Sequence, residues 1–545
     1  MKDFEILSYD TAVAVWEDNE LKALNNDLLP LYLRRENDAK SWLETRAIDS
    51  HRANSRLLKK ALRLAEKDDV LFFIKGENIM KKIYIIHGEL ERPLQKKAVE
   101  VLSKLLLDYS FEYPACFHYS KTMDCEDAIH IYIGTKESNP IIKQLSVASL
   151  SYEEEYCIKV KDSSVYIEGF DDSGVLYGCI DFYNKYLLKL EYPHDAWRFA
   201  VNPFDKPLPD FELISRPSVK NRGIWTWGHV IYDYRGFIDN MVMLKMNCIT
   251  IWNDFAPVNA REIINYAHDC GIKVYWGYSW GWENGCKHTT LEDLLNTSDD
   301  IIEKFENEYA TLDVDGIYFQ SCTELNTEKI GDKIIAEAVC ELVNKTALKL
   351  FDKYPDLELQ FGLHATSVKN RLDVIRNVDK RIRIVWEDCG SFPFSCIPKD
   401  VEDFEKTKDF VNKIANLRGD DDKFGVVTKG IVKLNWFAFE HLKGAAFVGT
   451  SSKFMKHNRV VRKNKIWKYI QAYWIAYAPK AHEMVKTLSE IKNGDLYITP
   501  LVEDGMFEEN IMYPIALFSE MMWDCNSDVS EMMSDVALRG YVDFA

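Results

Sequence analysis

The chain has no apolar run near the roughly 18 residues that a membrane-spanning helix needs, so no membrane partner is expected. Its first residues, from Met1 to Ser8, hold no apolar stretch followed by a small-residue cleavage site, so no secretory signal is read there. The 12 cysteines include no C-x-x-C pair, which fits reduced thiols and predicts a cytoplasmic location. No H-x-x-x-H or H-E-x-x-H spacing occurs, nor a phosphate loop or a dinucleotide fingerprint, so no metal and no cofactor is expected. Basic residues are in deficit: 68 Lys and Arg stand against 86 Asp and Glu, a net charge of −18. That balance argues against nucleic acid as a partner and requires a local basic pocket for any anionic substrate.

Aromatic residues are abundant. They make up 13% of the 545 residues, with 14 Trp and 28 Tyr, inside a hydrophobic content of 47%. Such a chain builds large cores, and at this length more than one domain is expected.

Residues 1–78 read as a helical segment, with Trp42, Leu43, Ala47, Leu57, Leu58, Leu62 and Leu64 spaced for one buried face. Arg46, His51, Arg52 and Arg56 lie within it, either as a solvated face or as a basic arm toward a substrate carboxylate. From 79 to 202 the texture becomes small α/β. Lys82–His87 and Ala128–Ile133 read as strands, and Tyr156–Val160 with Ser164–Glu168 as a hairpin. The hairpin leads through Asp171-Asp172-Ser173-Gly174-Val175-Leu176-Tyr177-Gly178 into a helix. The two hairpin strands and this glycine-bearing motif resemble the non-catalytic domain that precedes the barrel in hexosaminidase-like and α-glucuronidase-like glycoside hydrolases.

After a linker carrying Pro203, Pro207 and Pro209, strands alternate with helices through residues 203–455. Candidate strands are Gly223–Trp227, Cys248–Trp252, Lys273–Tyr278, Gly316–Phe319, Glu358–Leu363, Ile382–Trp386, Phe424–Thr428 and Ala445–Val448. Eight strands in this pattern predict an α/β fold: a (β/α)8 barrel preceded by a small α/β sandwich domain and flanked by N- and C-terminal helices. Residues 456–545 read as helical to the end, packing on the barrel and offering a surface for homo-oligomers.

In such barrels the chemistry sits where the strands end. Polar and aromatic groups concentrate there: Trp225, Trp227 and His229; Trp252, Asn253 and Asp254; Trp280 and Trp282; Gln320 and Glu324; His364; Trp386, Glu387 and Asp388; Lys429; Ser451 and Ser452. Tryptophans beside carboxylates suit a sugar pocket. Glycoside cleavage needs one carboxyl as proton donor and a second carboxylate on the other face of the ring. Glu324, among apolar neighbours, suits the protonated acid. Glu387 or Asp388 suits the base, and because successive strand residues face opposite ways, one of the two enters the pocket. Trp225, Trp227, Trp252, Trp280, Trp282 and Trp386 would enclose a terminal sugar. His229, Asn253, Asp254, His364 and Lys429 would bind it, and Arg222 would favour a carboxylate on it.

At these residues the barrel resembles the α-glucuronidase class of glycoside hydrolases, family 67 and relatives. Phe319-Gln320-Ser321-Cys322-Thr323-Glu324 stands where that family carries its strand-4 acid, and Val385-Trp386-Glu387 matches its strand-6 carboxylate. The resemblance implies an exo-acting hydrolase taking a terminal sugar, a uronic acid among the candidates, from an oligosaccharide, with Glu324 as acid and Glu387 as base in one inverting step. It departs after strand 5, where Leu363-His364-Ala365 replaces the family's second Asp base. A hexosaminidase-like enzyme is the first alternative, though Thr323 replaces the Asp that orients an acetamido group. A non-catalytic carbohydrate-binding barrel is the second.

Overall fold

The computed structural model describes residues 4–8, 12–17, 20–23, 82–110, 114–121, 128–145, 147–190, 204, 207–227, 231–252, 256–281, 288, 290–322, 328–364, 370–388, 404–429, 448–449, 453–491, 495–502 and 507–544. Where helix is expected at the start, the backbone instead forms three antiparallel strands, β1 (Phe4–Ser8), β2 (Ala12–Glu17) and β3 (Glu20–Ala23). The two-residue alternation of Val13 and Val15 fits a strand better than a helix. The expected amphipathic helix over Leu31–Lys67, with its basic residues, lies outside the described residues.

The small domain is a six-stranded sheet in the order β5-β4-β6-β8-β7-β9. Its strands are β4 (Lys82–His87), β5 (Ala115–His118), β6 (Ala128–Gly134), β7 (Tyr156–Lys161), β8 (Ser164–Gly169) and β9 (Phe211–Ser215). Ile83, Ile85, Ile129, Ile131, Ile133, Val165 and Ile167 are buried in the core that also takes in the helices Pro93–Ser110 and Asp172–Asp181. The β7–β8 hairpin closes through Asp162 and Ser163, both at positive φ (49° and 60°), as a two-residue turn matched to strand twist requires. The glycine-bearing motif has a packing explanation. Asp171 caps the helix by accepting from the Gly174 amide, and a Cβ on Gly174 would lie 2.4 Å from the Glu155 carbonyl oxygen. A Cβ on Gly178 would lie 2.7 Å from Ile167. These glycines seat a helix against the hairpin. Because β9 pairs with β7, the domain extends past the expected boundary at 202.

The barrel closes in the order β10-β11-β12-β13-β16-β17-β18-β19, parallel throughout. Its strands are β10 (Asn221–Trp227), β11 (Cys248–Trp252), β12 (Lys273–Gly277), β13 (Gly316–Phe319), β16 (Glu358–His364), β17 (Arg383–Glu387), β18 (Phe424–Thr428) and β19 (Leu496–Pro500). A short hairpin, β14 (Lys329–Ile330) with β15 (Lys333–Ile334), projects between β13 and the helix Ile335–Lys353. The first seven barrel strands fall where the sequence places them. The eighth does not. Ala445, Ala446 and Phe447 lie outside the described residues, and Val448 pairs with a side chain instead of a strand: its amide donates to Asn259 Oδ1 (3.1 Å) and its carbonyl accepts from Asn259 Nδ2 (2.5 Å). The closing strand is Leu496–Pro500, beyond a 39-residue helix, Lys453–Ile491. The barrel therefore runs past residue 455, and the region after it is not helical throughout: β20 (Ile511–Met512) pairs with β21 (Val542–Asp543) around the helices Tyr513–Trp523 and Val529–Leu538.

Small domain, barrel and C-terminal helices meet in a buried charge cluster. Lys245 Nζ lies 2.6 Å from Asp181 Oδ2 and 4.1 Å from the Trp523 ring centroid, and Arg539 pairs with Glu520 at 2.7 Å. Arg222, read above as a ligand for substrate carboxylate, belongs to this joint. It is fully buried at the N-terminal end of β10 and bonds Glu154 Oε2 (2.8 Å) and the carbonyls of Val219, Lys220 and Lys245.

Candidate active site

Pleat parity decides which side chains enter the barrel. The register pairs Trp225 with Thr250, Trp252 with Gly277, Gly277 with Tyr318, and His364 with Glu387, and paired residues of parallel strands face one way. Trp225, Tyr318, Val385, Val427 and Leu501 form one buried cluster with Trp252 packed against it, separate from the core between barrel and helices. Trp225 and Trp252 stand 6.3 Å apart, and each meets Tyr318 edge-on at 5.5 and 5.8 Å. These rings floor the C-terminal mouth.

Glu387 sits in that floor, fully buried. Its Oε1 accepts from the Tyr318 hydroxyl at 2.6 Å and from Gln320 Nε2, while its Oε2 lies 2.6 Å from Lys429 Nζ. Burial pushes the carboxyl upward, but the Lys429 ammonium and the hydrogen bonds from Lys429, Tyr318 and Gln320 outweigh burial and hold it below the ordinary carboxylate value. Glu387 is therefore ionised at neutral pH. The Lys429 ammonium also lies 5.6 Å from the Trp225 ring centroid, within the range of a cation–π contact.

Glu387 and Asp388 face different ways, as strand alternation requires. Asp388 is buried, and its Oδ1 accepts the Lys429 backbone amide at 2.7 Å while its own amide donates to the Val427 carbonyl. It tethers the end of β18, whereas Glu387 faces the mouth. His364 is half-buried at the end of β16 in register with Glu387, so it too points to the mouth.

The expected ring of tryptophans does not form. Trp386, adjacent to Glu387 in the strand, points the other way and packs on Phe410 of the helix Phe404–Ala415 at 5.6 Å. Trp280 is fully buried and stacks on Phe319 at 3.6 Å, and Phe319 faces away from the Tyr318 side of β13. Both belong to the core between strands and helices. The Trp227 side chain and the residues His229, Asn253, Asp254, Trp282, Glu324, Ser451 and Ser452 lie outside the described residues. Tyr318 is the site residue that the sequence reading passed over. Its signal was present, since it precedes Gln320 by two positions and so shares its face.

Fold and site define a (β/α)8-barrel protein with a charged, aromatic-floored mouth. No family model matches the sequence, and no curated protein matches it. Among solved structures the chain aligns with a family GH115 4-O-methyl-α-glucuronidase with specificity for decorated arabinogalactans, at 14% identity and a TM-score of 0.47, over 83% of this chain and 58% of that one. It also aligns with a GH138 enzyme targeting pectin rhamnogalacturonan II, at 12% identity and a TM-score of 0.45, spanning about half of that protein (52%) and 83% of this chain. A third, CpGH84D, gives 13% identity and a TM-score of 0.44 over 83% of this chain and 68% of its own. Scores this low leave activity to be argued from the site itself.

Proposed function

We propose that the chain is an exo-acting glycoside hydrolase that removes a terminal sugar from an oligosaccharide by two-carboxylate catalysis. The observation that carries this reading is Glu387: an inward carboxylate at the C-terminal end of a barrel strand, held ionised and fixed in place. A general base must be ionised at working pH and oriented toward the mouth, and Glu387 meets both conditions. Glu324, which follows Gln320 by four residues, is the proposed proton donor. Trp252, half-buried at the mouth, gives a sugar ring an apolar face, and His364 offers a hydroxyl a hydrogen-bond partner.

A uronic acid is proposed among the terminal sugars, with the Lys429 ammonium, which also pairs with Glu387, as the cation at the pocket floor that would meet its carboxylate. The site is proposed to work without metal or cofactor, in the cytoplasm. The test is a panel of neutral, N-acetylated and uronic aryl glycosides incubated with the purified protein. Release from a uronide that Glu387→Gln abolishes supports the reading in full. Release from an N-acetylhexosaminide alone moves the assignment to the hexosaminidase-like alternative.

A second reading has one observation in its favour. Both oxygens of Glu387 are engaged by protein groups, as they would be in a counter-ion that serves only to orient Lys429. A sugar-binding barrel without turnover would then remain. Binding without release across the panel, unchanged in Glu324→Gln, would establish it.

A further inference from the structure

Tyr318 and Glu387 stand on β13 and β17, which are not neighbours, because β16 lies between them. For the phenol to reach the carboxylate, its ring must cross the inward face of β16. The residue beneath the crossing is Gly362, in register with Val385 and one inward position before His364. A Cβ on Gly362 would lie 2.2 Å from Tyr318 Oη, 2.6 Å from its Cζ and 2.7 Å from Glu387 Oε1. Any side chain there would occupy the volume of the hydrogen bond itself.

The backbone offers no other reason for this glycine. Gly362 is absent from the residues at positive φ and sits mid-strand, where glycine weakens a sheet. The same device recurs two barrel strands earlier. A Cβ on Gly277 of β12 would lie 2.6 Å from Trp252 Cε3, so that indole likewise lies over a glycine on the neighbouring strand. Two of the three large rings of the floor, Trp252 and Tyr318, lie over positions that lack side chains.

We propose that Gly362 is a positioning residue: it opens the passage through which Tyr318 reaches across β16 and fixes Glu387 in the orientation used for catalysis. The kinetic part rests on the reading of Glu387 as the catalytic base; the passage itself does not.

The experiment is a double-variant cycle of Gly362→Ala and Tyr318→Leu, read by thermal unfolding against pH and by kcat against pH. In Gly362→Ala the added methyl displaces the Tyr318 ring, and Glu387 loses a donor to its ionised form. The acidic limb of kcat then moves to higher pH, and kcat falls by roughly ten- to a hundred-fold. In the Tyr318→Leu background, where no ring crosses, the same Gly362→Ala change costs clearly less stability and rate, the remaining loss coming from its approach to Glu387 Oε1. Failure of Gly362→Ala to fold, with folding restored in the double variant, is the same result in stronger form. Equal losses in both backgrounds, including failure to fold in both, overturn the proposal, as does a Gly362→Ala protein with unchanged stability and pH dependence. If the native protein hydrolyses no glycoside, the proposed function falls, while the thermal cycle still decides whether Gly362 serves the Tyr318 crossing.

Discussion

Lys429 Nζ and Glu387 Oε2 lie 2.6 Å apart, joining the ends of the adjacent strands β18 and β17 at the floor of the barrel mouth. Both side chains are nearly removed from water: 9% of the lysine side chain is accessible and none of the glutamate. A buried pair of this kind contributes less than its Coulomb attraction suggests, because both charges have left solvent. Removing one partner is nevertheless expensive, and that asymmetry makes the pair testable.

Lys429→Met leaves an unneutralised carboxylate in the floor and is expected to cost about 3–5 kcal/mol at neutral pH. The loss eases in acid, where Glu387 takes up a proton. The double variant Lys429→Met/Glu387→Gln is expected to be more stable than the single lysine variant. Urea unfolding of the four proteins measures this, and additive losses would show that the two side chains are not coupled.

The depressed pKa of Glu387 sets a direction for stability against pH. A carboxyl that is more acidic in the folded state stabilises the fold above its unfolded value, near pH 4.3 in model peptides, by an amount of the order of the shift. That contribution fades as pH falls from there through the folded value. The stability difference between the native protein and Glu387→Gln is therefore expected to be constant from neutral pH down to about pH 5 and to shrink below it. Parallel curves down to pH 3 would show that the carboxyl titrates as it does in the unfolded chain.

Trp386 and Trp252 are expected to separate stability from binding. Trp386→Ala removes a ring packed on Phe410 in the barrel–helix core and should cost about 3–5 kcal/mol, with sugar affinity of the folded fraction unchanged. Trp252→Ala should weaken sugar binding roughly ten-fold, with a smaller loss of stability. Calorimetric titration beside thermal unfolding distinguishes them, and weakened binding in Trp386→Ala would place that ring at the mouth after all.

Lys245 tests the three-way joint. Lys245→Met strips the ammonium from Asp181 and Glu520 and is expected to lower stability by about 3–5 kcal/mol without changing catalysis in the folded protein. Asp181 keeps the Tyr156 hydroxyl and Glu520 keeps Arg539, so the loss should fall short of full unfolding.

The barrel was legible in the sequence because its first seven strands are short apolar runs that stop in polar or aromatic residues. The eighth was hidden by distance. A 39-residue helix separates β18 from Leu496–Pro500, and the competing run at Ala445–Val448 has a plausible composition but ends with Val448 bonded to Asn259. At the site, strand parity already implied that Glu387 and Asp388 diverge. The same rule applied to Trp386 excludes it from the pocket, since it adjoins Glu387. What no local rule supplies is the crossing of Tyr318 over Gly362, because it joins three strands far apart in sequence.

The central claim is that Glu387 and Glu324 act on opposite sides of one sugar ring. Its most direct measurement is the carboxyl separation in a structure of the protein with an uncleaved sugar analogue bound. The account predicts both carboxyls against the ring at about 6.5–9.5 Å from each other, leaving room for the attacking water of an inverting step. A sugar seated in the mouth with the Glu324 carboxyl turned away from it would contradict the account.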